Sequence, residues 1–336
     1  MNFRKVLLGT SAIVGATALV SPANAGDLDV GISGFIKTLA AFGELDNESG
    51  VDKSHSHYFR NDTEVHVKAN STDDETGLKY GMTVEFEADT SSSLNSDETW
   101  MYISGGFGEL RFGDEDGASD NMKITAGSIA AGTGGIDGAG EVASTRLALS
   151  NSSDATKVIY YSPVVSGFQV GVSYTPDAGH NGATENPTTD GANDYQDMVE
   201  AGATYMGSFG GLDLKGSVVG FHAKNESGGN NDSGLGGGAS VGFSGFTVAG
   251  GYFHQDDADV WNAGVRAALG PANVSFNYGS QDVDGTNADP TNYVISADIG
   301  ILPGLALEGD VSFFDRDTGN GNDDGVTGVT RLSLAF

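Results

Sequence analysis

The sequence predicts an all-β protein: a transmembrane antiparallel β-barrel of 16 strands, with a long third external loop folded into the lumen. Three observations predict it. Apolar and polar residues alternate with period two over most of the chain, and no window favours the i, i+3, i+4, i+7 spacing of an amphipathic helix. The links between alternating segments are themselves sorted, tight Gly- or Pro-based turns taking turns with longer acidic loops, the asymmetry between the two rims of an outer-membrane barrel. Finally, the chain opens on an export segment: Arg4 and Lys5, an apolar stretch over 6–20 and Ala23-Asn-Ala25 read as a signal peptide cleaved after residue 25. Residues 26–336 then form the barrel, since no later stretch approaches the roughly 18 apolar residues of a membrane-spanning helix.

The segments follow in order. In the first, Val30, Ile32 and Ile36 share a face opposite Asp29, Ser33 and Lys37, with Phe35 the exception. The second sets Thr63, Val65, Val67 and Ala69 against Arg60, Asp62, Glu64, His66 and Lys68; the third sets Tyr80, Met82, Val84 and Phe86 against Lys79, Thr83, Glu85 and Glu87. Residues 98–104 are a strand of unsettled facing, and 108–114 turn Leu110 and Phe112 away from Glu109 and Arg111. Residues 115–155 do not alternate. A structureless connection of that length is either functional or evidence against the strands around it. Its Ala- and Gly-rich centre, 126–135, suits a backbone lying close against a wall. Alternation resumes over 156–162, 168–175, 195–208, 212–224, 235–243, 246–255, 260–269, 272–281, 292–302, 305–316 and 326–336, and the last strand ends on Phe336.

Composition narrows the function. A formal charge of −30 argues against nucleic acid as a partner, because phosphate binding needs clustered Lys and Arg. The chain has no cysteine, which removes disulfides and thiolate metal sites. With 52 glycines and 38% hydrophobic residues it is poor material for a large dry core, whereas a closed barrel needs little interior apolar surface.

Several stretches resemble the alphaproteobacterial branch of the general bacterial porins: 101–114, 132–138 in the long loop, 155–163 and 167–176. The resemblance spans 26–336. It implies a homotrimer of barrels in the outer membrane of a Gram-negative bacterium, in contact with lipid and lipopolysaccharide and inserted by the barrel-assembly machinery, which reads a C-terminal aromatic. It also implies that 115–155 is the constriction loop, whose acids face basic residues on the wall. Asp114, Glu115 and Asp116, then Asp120, Asp137 and Glu141, are the candidate acids. Lys37, Arg60, Lys68, Lys79, Arg111 and Arg331 are the candidate bases, interleaved with Glu64, Glu85, Glu87 and Glu109 so that a strong transverse field is not expected.

The expected function is an outer-membrane porin: a water-filled, weakly cation-selective channel for passive diffusion of ions and small hydrophilic solutes. The competing reading is a surface-exposed structural or adhesive barrel with a plugged lumen. No cofactor is required; structural Ca2+ could bind the acidic loops at 282–289 and 315–324, although neither has full EF-hand spacing. His55-Ser-His57 supplies too few ligands for a transition metal. Gly238-Ala-Ser-Val-Gly242 lies inside an alternating strand rather than at a nucleophile elbow, and the chain is not expected to be an enzyme.

Overall fold

The structure, a computed structural model, describes residues 28–47, 57–89, 96–137, 147–180, 182, 195–256, 258–283, 289–315 and 323–336. The expected signal peptide lies outside them. The strands are β1 (Asp29–Asn47), β2 (His57–Thr72), β3 (Lys79–Glu87), β4 (Ser96–Gly105), β5 (Gly108–Asp114), β6 (Thr156–Tyr161), β7 (Phe168–Asp177) and β8 (Tyr195–Phe209). They continue as β9 (Leu212–Asn225), β10 (Asp232–Phe243), β11 (Phe246–Gln255), β12 (Ala258–Leu269), β13 (Ala272–Val283), β14 (Thr291–Leu302), β15 (Leu305–Asp315) and β16 (Asp323–Ala335). Each strand pairs antiparallel with its neighbours in sequence and β16 returns to β1, so all 16 lie in one closed barrel. At the closure Gly34 and Phe336 exchange backbone hydrogen bonds of 3.0 Å.

The usual distribution of polarity is inverted. Ile32, Met101, Phe112, Val218 and Ile295 are exposed on the outer face, while Ser173, Asn277, Ser296 and Ser312 are buried on the inner one. An apolar outside is what lipid requires, and closure satisfies every ladder hydrogen bond without water. No helix among the described residues is long and apolar enough to cross a membrane. Short turns fit the predicted rim: Gly210 and Gly211, and Ser244 and Gly245, each place two successive residues at positive φ, the backbone of a two-residue hairpin turn.

Two local departures have clear causes. The facing of β4 is hidden in the sequence because both of its faces carry large apolar side chains, Trp100 and Tyr102 on one and Met101 and Ile103 on the other; its register with β3 is regular over Thr99–Ser104 and shifts only between Val84 and Phe86, a bulge. Beyond it, Trp100 and Tyr102 sit opposite Thr83 and Gly81 and face inward, so they are not part of an outer aromatic belt. In β1 the strand continues well past Ile36, through inward-facing Leu39 and Ala41; these are buried against Ile136 and Leu147 of the long loop, which supplies the cover that apolar residues need inside a wet barrel.

Candidate functional site

The long loop enters the barrel at Glu115 and is fixed by buried charges. Glu200 on the inner face of β8 is 1% exposed, and its carboxylate accepts from Ser119 Oγ at 2.7 Å, Ser152 Oγ at 2.6 Å and Ser173 Oγ at 3.2 Å. One side chain thereby ties together the loop's first helix, α1 (Ala118–Met122), the returning segment and β7. Gly117 has to be glycine for this approach: a Cβ there would lie 1.7 Å from Glu200 Oε2. Lys157 on β6, also 1% exposed, donates to the carbonyl oxygens of Glu115 and Ser153, clamping the two ends of the loop.

The irregular backbone beyond α1 must find hydrogen-bond partners in the wall. The Ala126 N–H donates to Asn262 Oδ1 at 2.7 Å, and Asn277 Nδ2 donates to the Ala126 carbonyl at 2.9 Å. Ala131 N–H donates to Ser275 Oγ at 2.8 Å, Thr133 N–H to Asp310 Oδ2 at 2.9 Å, and Ser150 N–H to Gln255 Oε1 at 2.8 Å. Apolar contacts complete the attachment: Met122 and Leu149 join Ile159, Phe221 and Phe253 in a buried cluster. The described helical turns of the loop thus lie against β7–β9 and β11–β14. Arg60 and Lys68 on β2 face inward and are nevertheless exposed, as is Lys215 on β9. A cavity of about 600 Å³ lies beside the loop, lined by Glu109, Arg111, Lys123, Tyr161, Gln169 and Lys215 among others.

The structure treats the candidate acids differently. Asp114 belongs to β5, opposite Thr99 and Thr156 on the face that carries Phe112, and its carboxylate accepts from Thr156 Oγ1 and from the Gly182 N–H at 2.9 Å. It is therefore turned away from the lumen: a residue at the end of a strand changes face with a single step of register. Glu115 is 5% exposed and paired with Arg111, and burial raises its carboxyl pKa against that pairing. Asp116 is half-buried, its carboxyl pushed up to about 7 by burial first, then by the charges of Asp120 and Asp154. Asp120 is bound to Lys123 and Asn151 Nδ2 at 2.5 Å. Asp137 ends the turn Gly135–Asp137, and Glu141 lies outside the described residues.

The candidate bases are mostly paired. Lys37 contacts Asp62 at 3.1 Å, Lys68 contacts Glu85 at 3.8 Å, Arg111 contacts Glu109 at 2.7 Å as well as Glu115, and Arg331 contacts Glu308 at 2.5 Å. Arg111 also lies over the Trp100 ring at 4.7 Å from its centroid. Lys79 is exposed at the start of β3, opposite Thr72. Sequence reasoning missed Glu200, Lys157, Asp310 and Lys215, whose one signal was an inward place in an alternating strand. Among the described residues, Glu64, His66 and Glu85 are the group able to hold a metal ion. The suggested Ca2+ loops fall largely on 284–288 and 316–322, outside the described residues, as does His55.

Comparison with known proteins agrees with this architecture. A family model described as Gram-negative porin matches residues 9–319. An uncharacterized protein of Rickettsia bellii is 26% identical over 209 residues, 53% of this chain and 47% of that protein. A second, from Rickettsia typhi, is 28% identical over 155 residues, covering 37% of this chain and 35% of its own length, so the matches span less than half of these relatives. Among solved structures, an anion-selective porin from Comamonas acidovorans superposes with a TM-score of 0.67 at 18% identity, covering 92% of this chain and 100% of that one. A loop L8 deletion mutant of OmpT, an outer membrane protein of Vibrio cholerae, gives a TM-score of 0.64 at 16% identity, covering 92% and 99%. At such identities the likeness shows a shared fold.

Proposed function

The chain belongs to the Gram-negative porin family, and on that premise we propose that this outer-membrane protein is a water-filled, weakly cation-selective channel for passive diffusion of ions and small hydrophilic solutes. The observation that carries this reading is the asymmetric placement of the loop. Its described helical turns are held against β7–β9 and β11–β14, while inward-facing Lys68 on β2 is exposed. Long charged side chains that point into a barrel and are still solvated need water around them. A channel, rather than an enzyme, follows from the family and the fold.

Charge bookkeeping along the path supports a weak preference for cations. Lys37, Lys68, Arg111, Lys123 and Arg331 are all engaged by carboxylates, whereas among the described residues Asp116 makes no ion pair, nor does Lys215. Paired charges largely cancel beyond a Debye length of about 8 Å, so the sign is expected to follow the acidic excess of the whole chain, 46 Asp and Glu against 16 Lys and Arg. The similarity to an anion-selective porin concerns the backbone and not these side chains. Zero-current potentials in a KCl gradient across a planar bilayer test the sign: the expected potential is that of a modest K+ preference, and a Cl− preference would refute it.

The proposed assembly is a homotrimer set among outer-membrane lipid and lipopolysaccharide, inserted by the barrel-assembly machinery. Its support is the continuous apolar outer face, which offers surface for contact between barrels as well as for lipid. Mass measurement in mild detergent checks the stoichiometry, and a single-barrel mass would count against it.

A further inference from the structure

We propose that Glu64, His66 and Glu85 form a site for a divalent first-row transition-metal ion on the lumenal face of β2 and β3. The register of β2 and β3 sets His66 directly opposite Glu85, and Glu64 lies two residues from His66, so all three side chains leave the sheet on the same face. His66 Nε2 is 3.2 Å from Glu64 Oε1, and Nδ1 is 3.4 Å from Glu85 Oε1. One ligand atom from each residue lies within 4.8 Å of the other two.

Metal–ligand bonds of about 2.0–2.1 Å in tetrahedral geometry place neighbouring ligand atoms about 3.3 Å apart. The gap between His66 Nε2 and Glu64 is already that edge. Nε2 is buried and has no hydrogen-bond partner, although it points at the carboxylate. The ring is held from one side by the edge-on contact with Phe35, at 6.2 Å between centroids and 78° between planes. Glu64 is 8% exposed, and two carboxylates so close are held together by a cation or by a shared proton. The neighbouring ammonium groups supply little positive charge: Lys37 is committed to Asp62, and Lys68 is half-exposed at 3.8 Å from Glu85.

The ligand chemistry selects the ion. One imidazole with two carboxylates suits Zn2+ or Co2+, while Ca2+ takes six to eight oxygens and Mg2+ prefers an all-oxygen octahedron. Solvent on the lumenal side fills the remaining coordination. The alternative occupant is a proton, which would make His66 an imidazolium bridging both carboxylates.

The test uses the folded protein in detergent, titrated with ZnCl2 by calorimetry in the presence of excess CaCl2, which occupies all-oxygen carboxylate sites. The expected result is one tight Zn2+ per barrel, with affinity lowered about tenfold or more in His66→Ala and in Glu64→Gln. His254→Ala is the control, since His254 sits on the outer face beside Asp259 at 3.0 Å and its removal should change nothing. Equal binding by the unmodified protein and His66→Ala, or no saturable binding at all, overturns the site. Co2+ bound to the unmodified protein gives a second reading that needs no variant: the intense visible bands of a four-coordinate ion support the proposal, and only the weak bands of a six-coordinate ion refute it. Neither readout depends on conduction, so failure here leaves the channel reading standing.

Discussion

Ser119 donates its hydroxyl hydrogen to Glu200 at 2.7 Å across 81 residues of sequence, and both partners are buried. This contact joins the start of the long loop to the barrel wall, and the same carboxylate holds the returning segment through Ser152. Glu200→Gln should therefore loosen the loop without opening the barrel, since hydrogen bonds to a charged group contribute about 1.5–3 kcal/mol each. The expected result is a noisier single-channel current at unchanged strand content. Identical noise and conductance in the variant would remove Glu200 from this role.

Lys157 is the counter-charge at the same place, fully buried and bound to the carbonyls of Glu115 and Ser153. Lys157→Met deletes it while keeping most of its bulk and leaves both carbonyls without their buried donor. Each hydrogen bond from a charged group contributes about 1.5–3 kcal/mol. Urea unfolding in detergent should show that loss; a shift under about 0.5 kcal/mol would mean the two carbonyls find other partners.

Close approach of backbones predicts a glycine requirement in the wall. A Cβ on Gly238 would lie 1.9 Å from the carbonyl oxygen of Ile124, whereas one on Gly216 meets nothing within 4 Å. Gly238→Ala should displace the loop, changing single-channel conductance and costing about 1–3 kcal/mol, with Gly216→Ala neutral. Matching conductance in both variants would contradict the placement of 124 against β10.

Selectivity should depend on pH through Asp116, whose carboxyl is pushed up to about 7 by burial and by Asp120 and Asp154, with Lys123 and Lys157 pulling the other way. A carboxyl is neutral below its pKa and charged above it. Cation preference should accordingly grow over about one pH unit either side of 7, and Asp116→Asn should flatten the curve. A preference that weakens as pH rises through this range has the wrong sign for the account.

All 16 strands were legible because lipid outside and water inside impose a period-two pattern that short-range chemistry cannot hide. The loop was legible for the converse reason, as the stretch where that pattern stops. What could not be read was which inward polar residues line the channel and which hold the loop. Glu200, Asp310 and Asn262 look like Glu64 or Ser296 in sequence, and only the path of a loop distant in sequence tells them apart. Asp114 was misplaced for a local reason: Arg111 and Glu115 lie on its two sides, but the last residue of β5 points to Thr156. The pairing of Arg111 with Glu115 was equally hidden, because an acid and a base at the mouth of a loop can face each other or face the pore.

Liposome swelling with sugars of graded size tests the central claim most directly, that the loop narrows a water-filled lumen and does not plug it. The account predicts rapid swelling with the smallest sugars, falling steeply as solute size rises. No swelling with any sugar, from vesicles shown to contain folded barrels, would contradict it.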